Sequence, residues 1–399
     1  MIRIFFFLAA FCACPAQAST QIAFENWLST SLWPEAKAAG ISSRTFQQAT
    51  RGLRLDLTMP DLAGSKPKRQ EQAEFRAPGR YFPNRSLSSL AAQGAARLAK
   101  WKRTLAKVER RTGVPGPVIV AIWGRESGFG RVKMPKNAVR SLATLAFAGR
   151  RKPLFRKELI AALRIIDAGH ISAKAMGSSW AGALGQPQFL PSKFFDYAVD
   201  EDGDGKRDIW NSVPDTLGSI ANYLANHGWQ RGRDWGFEAK IPASVPCHLG
   251  GPDQGRQIAQ WVAMGVERVS GRPFPNHELR GTGYLLFPGG RTGPAFVTTP
   301  NFYVLKKYNE SDVYALFVGH LADRMRGAGP FRQPWKPIET MSRDAVKVMQ
   351  EKLIARGYDM GGADGLIGYK SRTSIGLWQA KSGLAVTCFP NRATITSLR

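Results

Sequence analysis

One carboxylate in this chain sits where helical periodicity calls for an apolar side chain. From Pro117 the sequence runs Val118-Ile119-Val120-Ala121-Ile122-Trp123-Gly124-Arg125-Glu126, and at helical spacing Ile119, Ile122, Trp123 and Glu126 share a face. Burial beside such groups disfavours the charged carboxyl and raises its pKa, the state a general acid needs near neutral pH. Glu126 is therefore a candidate proton donor. The competing reading is a helix-terminal Glu, ion-paired with Arg125 or Arg131 and followed by the capping residues Gly128 and Gly130. Periodicity alone does not separate the two.

Two further segments carry chemistry. Asp200, Asp202, Asp204 and Asp208 fall at positions 1, 3, 5 and 9 of a loop with Gly205 at position 6, the spacing that wraps oxygen ligands around Ca2+ in a structural role. Lys206, at position 7, could offer only its backbone carbonyl. Position 12 is Asn211 rather than Glu, so the standard loop lacks its bidentate ligand, and an acidic surface turn is the alternative. The run Gly182-Ala183-Leu184-Gly185-Gln186-Pro187-Gln188-Phe189 has small residues that let a sugar approach the backbone, and Gln188 offers both a donor and an acceptor. A tight turn between helices would use the same residues.

These groups need a scaffold, and its pattern is mostly helical. Residues 22–55 alternate helical patterns with turn signals, and 61–85 read as a basic, Pro/Gly-punctuated loop. Apolar residues recur at helical spacing from Ser86 to Arg111 (Leu90, Ala91, Leu98, Trp101, Leu105, Val108), and Pro115-Gly116-Pro117 breaks that helix and starts the one carrying Glu126. Between Gly236 and Thr299 short apolar runs among Gly and Pro read as strand or loop. Helical periodicity returns from Ser311 to Met325. Gly327 to Pro337 reads as an interdomain linker. Beyond it Val346, Met349 and Leu353 mark one helix face, Gly357–Gly368 a Gly-rich turn region, and Ile375 with Trp378 a second helix.

Composition bounds the partner. The 399 residues include 56 Lys+Arg against 30 Asp+Glu, a formal charge of +26, with 11 Trp, 22 Phe and 9 Tyr. So many aromatic residues exclude a disordered polycation, and the length suits two or three domains. A folded basic surface attracts a polyanion: nucleic acid, an anionic membrane face or an anionic polysaccharide. Arg3, the apolar run Ile4–Cys14 and Ala16-Gln17-Ala18 read as a secretory signal peptide cleaved before Ser19. That run is shorter than the ~20 residues that span a bilayer, and no later segment qualifies. Phe11 and Ala10 fit poorly before Cys12 as a lipoprotein site. Export argues against nucleic acid. It also leaves Cys247 and Cys388 in an oxidising setting where one disulfide is possible, although nothing in so wide a separation gives ground for expecting the pair to meet. The five histidines are too scattered for zinc.

Three motifs in order carry a resemblance: Glu126-Ser127-Gly128-Phe129-Gly130-Arg131, Ser179 through Ser192, and Asn301-Phe302-Tyr303 with Tyr308-Asn309. Over roughly residues 22–325 the chain resembles the lytic murein transglycosylase B family. The resemblance implies a lysozyme-like fold and cleavage of peptidoglycan between N-acetylmuramic acid and N-acetylglucosamine by one carboxylate, Glu126, which serves as acid and then base. It also implies substrate binding at Ser179, Gln188, Tyr308 and Asn309 and at the pair Arg150-Arg151, which would face an acidic stem peptide. Gln186-Pro187 stands where Tyr-Gly is common in the best-known branch. The family's lengthened calcium loop suggests Asp215 as the closing ligand beside Asp200, Asp202, Asp204 and Lys206.

Residues 341–399 resemble the small three-helix peptidoglycan-binding domain through Met349-Gln350, Gly357-Tyr358, Ala363-Asp364-Gly365 and Trp378-Gln379. Thr387-Cys388-Phe389-Pro390 departs from its usual polar turn. Tethering such a module to an enzyme raises the effective glycan concentration. The expected protein is thus α+β and mainly α: signal peptide 1–18, lysozyme-like catalytic region 19–326 with a small β/loop insertion, linker 327–340 and binding module 341–399. It would be a periplasmic lytic transglycosylase acting on glycan strands, with a structural Ca2+. The rivals are a muramidase hydrolysing the same bond and a noncatalytic wall-binding scaffold.

Overall fold

The computed structural model describes residues 15–62, 77–339 and 341–398. The expected signal-peptide core Ile4–Cys14, with Arg3, lies outside the described residues, as does most of the expected 61–85 loop. Helix Pro15–Trp27 runs through the expected cleavage point after Ala18. No helix among the described residues is long and apolar enough to cross a membrane.

The chain divides into two compact units, Met1–Arg69 with Gly130–Thr216, and Gln70–Phe129 with Leu217–Arg399. In the first, helices Ala138–Ala148 and Lys152–Asp167 pack through Leu142, Leu145, Leu159 and Leu163, all fully buried. The Asn137 side chain caps the first of these by accepting the Arg140 N–H, which satisfies one donor that a helix start leaves unpaired. Glu158 is also buried, and its carboxylate accepts the backbone N–H and the hydroxyl of Ser192, both at 2.8 Å. It thereby fixes the start of helix Pro191–Tyr197.

Asp56 ties the N-terminal segment to this unit by accepting from Lys136 Nζ at 2.6 Å and from Thr58. The Lys136 hydrogen bond, aided by Thr58, holds its carboxyl down at about 2. Because the folded pKa lies below the unfolded one, this stabilisation is complete above the ordinary carboxylate range and lost as pH falls from about 4 through about 2. Asp56→Asn should therefore destabilise the protein at pH 6, with the difference from wild type vanishing near pH 2, as read by urea midpoints across that range.

In the second unit, helices Asn84–Lys100, Gly116–Ser127 and Asp312–Met325 pack on one another. The middle one is apolar almost all round, with every residue from Val118 to Gly124 buried, as expected of a helix surrounded by others. The region read as strand or loop forms a five-stranded antiparallel sheet. Its spatial order is Arg256–Gln257, Thr282–Leu286, Ala295–Thr298, Gly236–Lys240, Glu267–Arg268. Val297 is opposite Phe237 on one side and Leu285 on the other, and with Trp261 and Ile258 they form a dry core.

Two features that sequence left loosely defined take a definite form here. Cys247 and Cys388, 141 residues apart, are bonded, with their Cα atoms 6.1 Å apart. The atypical Thr387-Cys388-Phe389-Pro390 turn is thus the place where the C-terminal module joins the sheet region. The segment read as a linker has no helix or strand, yet it is docked. Phe331 stacks on His320 at 3.8 Å, Trp335 stacks on Phe82 at 5.3 Å, and Glu238 accepts the Arg332 and Gln333 N–H groups.

The module itself is three helices, Arg343–Ile354, Tyr369–Lys381 and Arg392–Thr396. They close around Val346, Met349, Leu353, Ile375 and Phe389. Its Gly-rich turn is held by buried Gln350, which accepts the Gly365 N–H and donates to the Leu366 carbonyl. Arg372 of the module reaches Asp312 at 2.5 Å, and Lys306 reaches the other oxygen of the same carboxylate at 2.6 Å.

Candidate active site

Glu126 occupies the last turn of helix Gly116–Ser127. The chain then reverses through three left-handed residues, Gly128, Phe129 and Gly130, with φ of 56°, 63° and 76°. A non-glycine residue in that region is strained, and packing holds this one in place. The Phe129 ring meets Trp123 edge-on at 5.5 Å and lies under the Arg97 guanidinium at 4.7 Å. A Cβ on Gly124 would come within 2.7 Å of that ring. Gly124 therefore lets Phe129 fold back beneath the helix.

The Glu126 carboxyl is partly buried and accepts the Tyr314 hydroxyl at 2.5 Å. Burial pushes its pKa up; the Tyr314 hydrogen bond and the charge of Arg125 pull it part of the way back. Arg125 does not supply the ion pair of the competing reading. Its guanidinium donates to the Tyr81 hydroxyl instead and lies over the rings of Tyr81 and Phe317. Tyr314 is buried, and burial with the nearby Glu126 charge pushes its own pKa well up, so it remains a neutral donor. Tyr308 responds in the same way to burial, Glu126 and Tyr223, whose ring it meets edge-on at 4.9 Å. Asn309 serves the backbone: its Oδ1 accepts the Ser311 N–H, and the Ser311 hydroxyl accepts the Tyr314 N–H. That turn starts the helix presenting Tyr314.

Tyr314 is absent from the sequence reading because a tyrosine in an apolar helix looks like core. The signal was available in its spacing from Ser311 at a helix start. Removing its hydroxyl takes away a donor that stabilises the carboxylate. Tyr314→Phe should therefore raise the Glu126 pKa further and move the basic limb of the pH–rate profile upward, with a loss of about tenfold to a hundredfold in kcat. A profile identical to wild type would show that this bond does not tune the acid.

The other expected residues lie in the first unit. Gln188 is left-handed (φ 57°), and its Nε2 donates to the Gly185 carbonyl at 2.8 Å. Ser179 Oγ accepts the Ala183 N–H at 3.1 Å within the same turn. Gly182 and Gly185 are required there, since a Cβ would strike Leu142 and the Ile209 carbonyl respectively. Gln186 is buried and donates to the Trp210 carbonyl. Arg150 and Arg151 are exposed, with Arg151 bridged to Asp61 at 2.9 Å. The carboxylates of Asp200, Asp202 and Asp204 converge within 4.8 Å. Asp215 is outside that cluster; its oxygens accept the backbone N–H groups of Glu201, Asp202 and Asp208 from within the protein.

A family model, the transglycosylase SLT domain, matches residues 23–323. The chain belongs to that family. A peptidoglycan-binding domain model matches residues 342–398. Membrane-bound lytic murein transglycosylase B of Escherichia coli is 36% identical over 217 residues, 52% of this chain and 56% of the relative, so the match spans little more than half of that protein. SltB3 from Pseudomonas aeruginosa is 39% identical, with 94% of this chain and 99% of that one aligned. It has been solved with NAG-anhNAM-pentapeptide (TM-score 0.83) and with NAG-NAM-pentapeptide (0.84). Slt35 from E. coli, solved in complex with calcium, is 30% identical over 64% of this chain and 80% of its own, with TM-score 0.53. The mainly helical, lysozyme-like transglycosylase SLT-domain fold with a C-terminal binding module is thus the one expected from the sequence.

Proposed function

We propose that the chain is a lytic transglycosylase that cleaves the β-1,4 bond between N-acetylmuramic acid and N-acetylglucosamine and leaves a 1,6-anhydromuramic end. The observation that carries this is Glu126, a carboxyl whose burial favours the protonated form and whose hydrogen bond comes from neutral Tyr314. Glu126 gives its proton to the glycosidic oxygen as the bond to C1 breaks. The resulting carboxylate takes the proton of the muramic C6 hydroxyl, whose oxygen bonds to C1. Tyr314 on Oε1 leaves Oε2 for this proton traffic. Water is not consumed, so one carboxyl suffices where hydrolases place a second across the bond. The substrate's N-acetyl oxygen can meet the charge developing at C1.

The relative solved with an anhydromuramyl ligand favours ring closure over hydrolysis. Mass analysis of products from purified sacculi tests the choice: anhydro ends lack one water, and reducing ends alone would overturn it. Gln188, Ser179, Tyr308 and Asn309 are proposed to line the glycan site and Arg150 with Arg151 to meet the stem peptide. Residues 341–398 add wall affinity. Such a substrate would suit a periplasmic protein, and the signal-peptide pattern at 1–18 supports export.

Asp200, Asp202 and Asp204 fit a divalent cation, because their carboxylates converge and none is ion-paired with a Lys or Arg among the described residues. With the Lys206 carbonyl they would hold Ca2+, whose charge would offset their mutual repulsion; Asp215 braces the loop from behind. Calcium at a hundred times its Kd should stabilise the protein by about 2.7 kcal/mol. Asp202→Ala with Asp204→Ala should abolish both that shift and calcium uptake in equilibrium dialysis. An unchanged melting curve on adding calcium would remove the site.

A further inference from the structure

Arg125 and Glu126 are consecutive residues, and two residues one turn apart on helix Asp312–Met325 receive them. Tyr314 donates to Glu126, and Phe317 lies 5.1 Å from the Arg125 guanidinium. Tyr81 covers the same guanidinium at 4.8 Å and accepts one of its N–H groups. Tyr314 and Phe317 are separated by about 4.5 Å of helical rise, so a substituent on one sugar can reach both the guanidinium and the acid. A guanidinium stacked on aromatic faces is already oriented and loses little freedom on binding.

The charge of Arg125 is nevertheless uncompensated. Among the described residues no carboxylate forms an ion pair with it, and the side chain is exposed. The acid that senses it is Glu126, which begins the proposed reaction protonated and so offers no counter-charge. Packing alone would need only the flat apolar part of the side chain. A fixed cation beside the reacting carboxyl suits an anionic group on the substrate.

We propose that Arg125 is a specificity-determining residue that binds a carboxylate of the peptide substituent on the muramic acid being cleaved. This rests on the transglycosylase reading. A fork of N–H donors matches a carboxylate, which a lysine contacts at one point only. The pairing also places the muramic acid, rather than its neighbour, beside Glu126.

Wild type, Arg125→Gln and Arg125→Lys are to be compared on peptide-bearing glycan strands and on strands stripped of peptide, reading anhydromuramyl ends. Arg125→Gln should raise KM about tenfold on peptide-bearing strands and leave KM alone on stripped strands, while any change in kcat from removing the charge beside Glu126 should be the same on both substrates. Arg125→Lys should recover part of the KM, and raising the salt concentration should shrink the difference between wild type and the Gln variant. An equal rise in KM on both substrates, or a fall in kcat with KM unchanged on peptide-bearing strands, overturns the inference and leaves Arg125 as packing or as a modulator of Glu126. Wild type releasing no anhydro ends from either substrate would remove the transglycosylase reading itself, and this inference with it.

Discussion

Glu126→Gln should release anhydromuropeptides from sacculi about 10²–10⁴ times more slowly than wild type, while pull-down on the same sacculi is unchanged. Gln keeps the shape and can still accept the Tyr314 hydroxyl, so the loss isolates the proton. The substitution should also stabilise the fold at neutral pH. Because the folded pKa of Glu126 lies above its usual 4.5, charging it costs stability that appears as pH rises through 4.5 toward the folded value. A neutral Gln avoids that cost. Urea midpoints of the two proteins should therefore coincide below pH 4 and separate above it, with the variant the more stable. Equal turnover by both proteins would refute the catalytic role of Glu126.

The second large effect is expected from Cys247→Ser with Cys388→Ser. Closing a loop of 141 residues restricts the unfolded chain by about 5 kcal/mol in the chain-entropy model, and measured losses for native disulfides run about 2–5 kcal/mol. The loss should concentrate in the module, whose other anchors to the sheet region include Tyr369 to Asp253, Thr373 to the Gly250 carbonyl and the Arg291 N–H to the Thr387 carbonyl. Denaturation of the double variant should split into two transitions, with residues 341–398 melting first. A single transition at the wild-type midpoint would show that packing alone holds the module. Turnover of short soluble strands should be spared, since among the described residues the hydrogen-bond partner of the Glu126 carboxyl, Tyr314, is on a different element from either cysteine.

Local pattern made Glu126 legible: a carboxylate breaking a run of buried apolar positions needs no partner to be noticed. The aspartates at 200, 202 and 204 were legible for the same reason, since their spacing is their geometry. Tyr314 was not, because it meets Glu126 across 188 residues and its own surroundings read as core. The cysteine pair stayed an open possibility for the same reason, as chain separation says nothing of spatial distance. Strands such as Arg256–Gln257 and Glu267–Arg268 are two residues long, too short to show alternation, so the sheet was readable as a region and not as a topology. Gly327–Pro337 shows what composition hides. Glycine and proline there suggested a spacer, while Phe331 and Trp335, which anchor it, were two aromatics in a polar stretch. Ser179 and Asn309 also do something that sequence hides: each braces a turn through its own side chain.

The bonds from Cys388 to Cys247 and from Arg372 to Asp312 change what a binding module can do. On a slack leash it would search a volume and help strands of any length. Held at a set bearing from Glu126, it would help only strands that reach both places at once. Such a module would act as a gauge, passing over short fragments already cut and favouring glycan long enough to bridge the span.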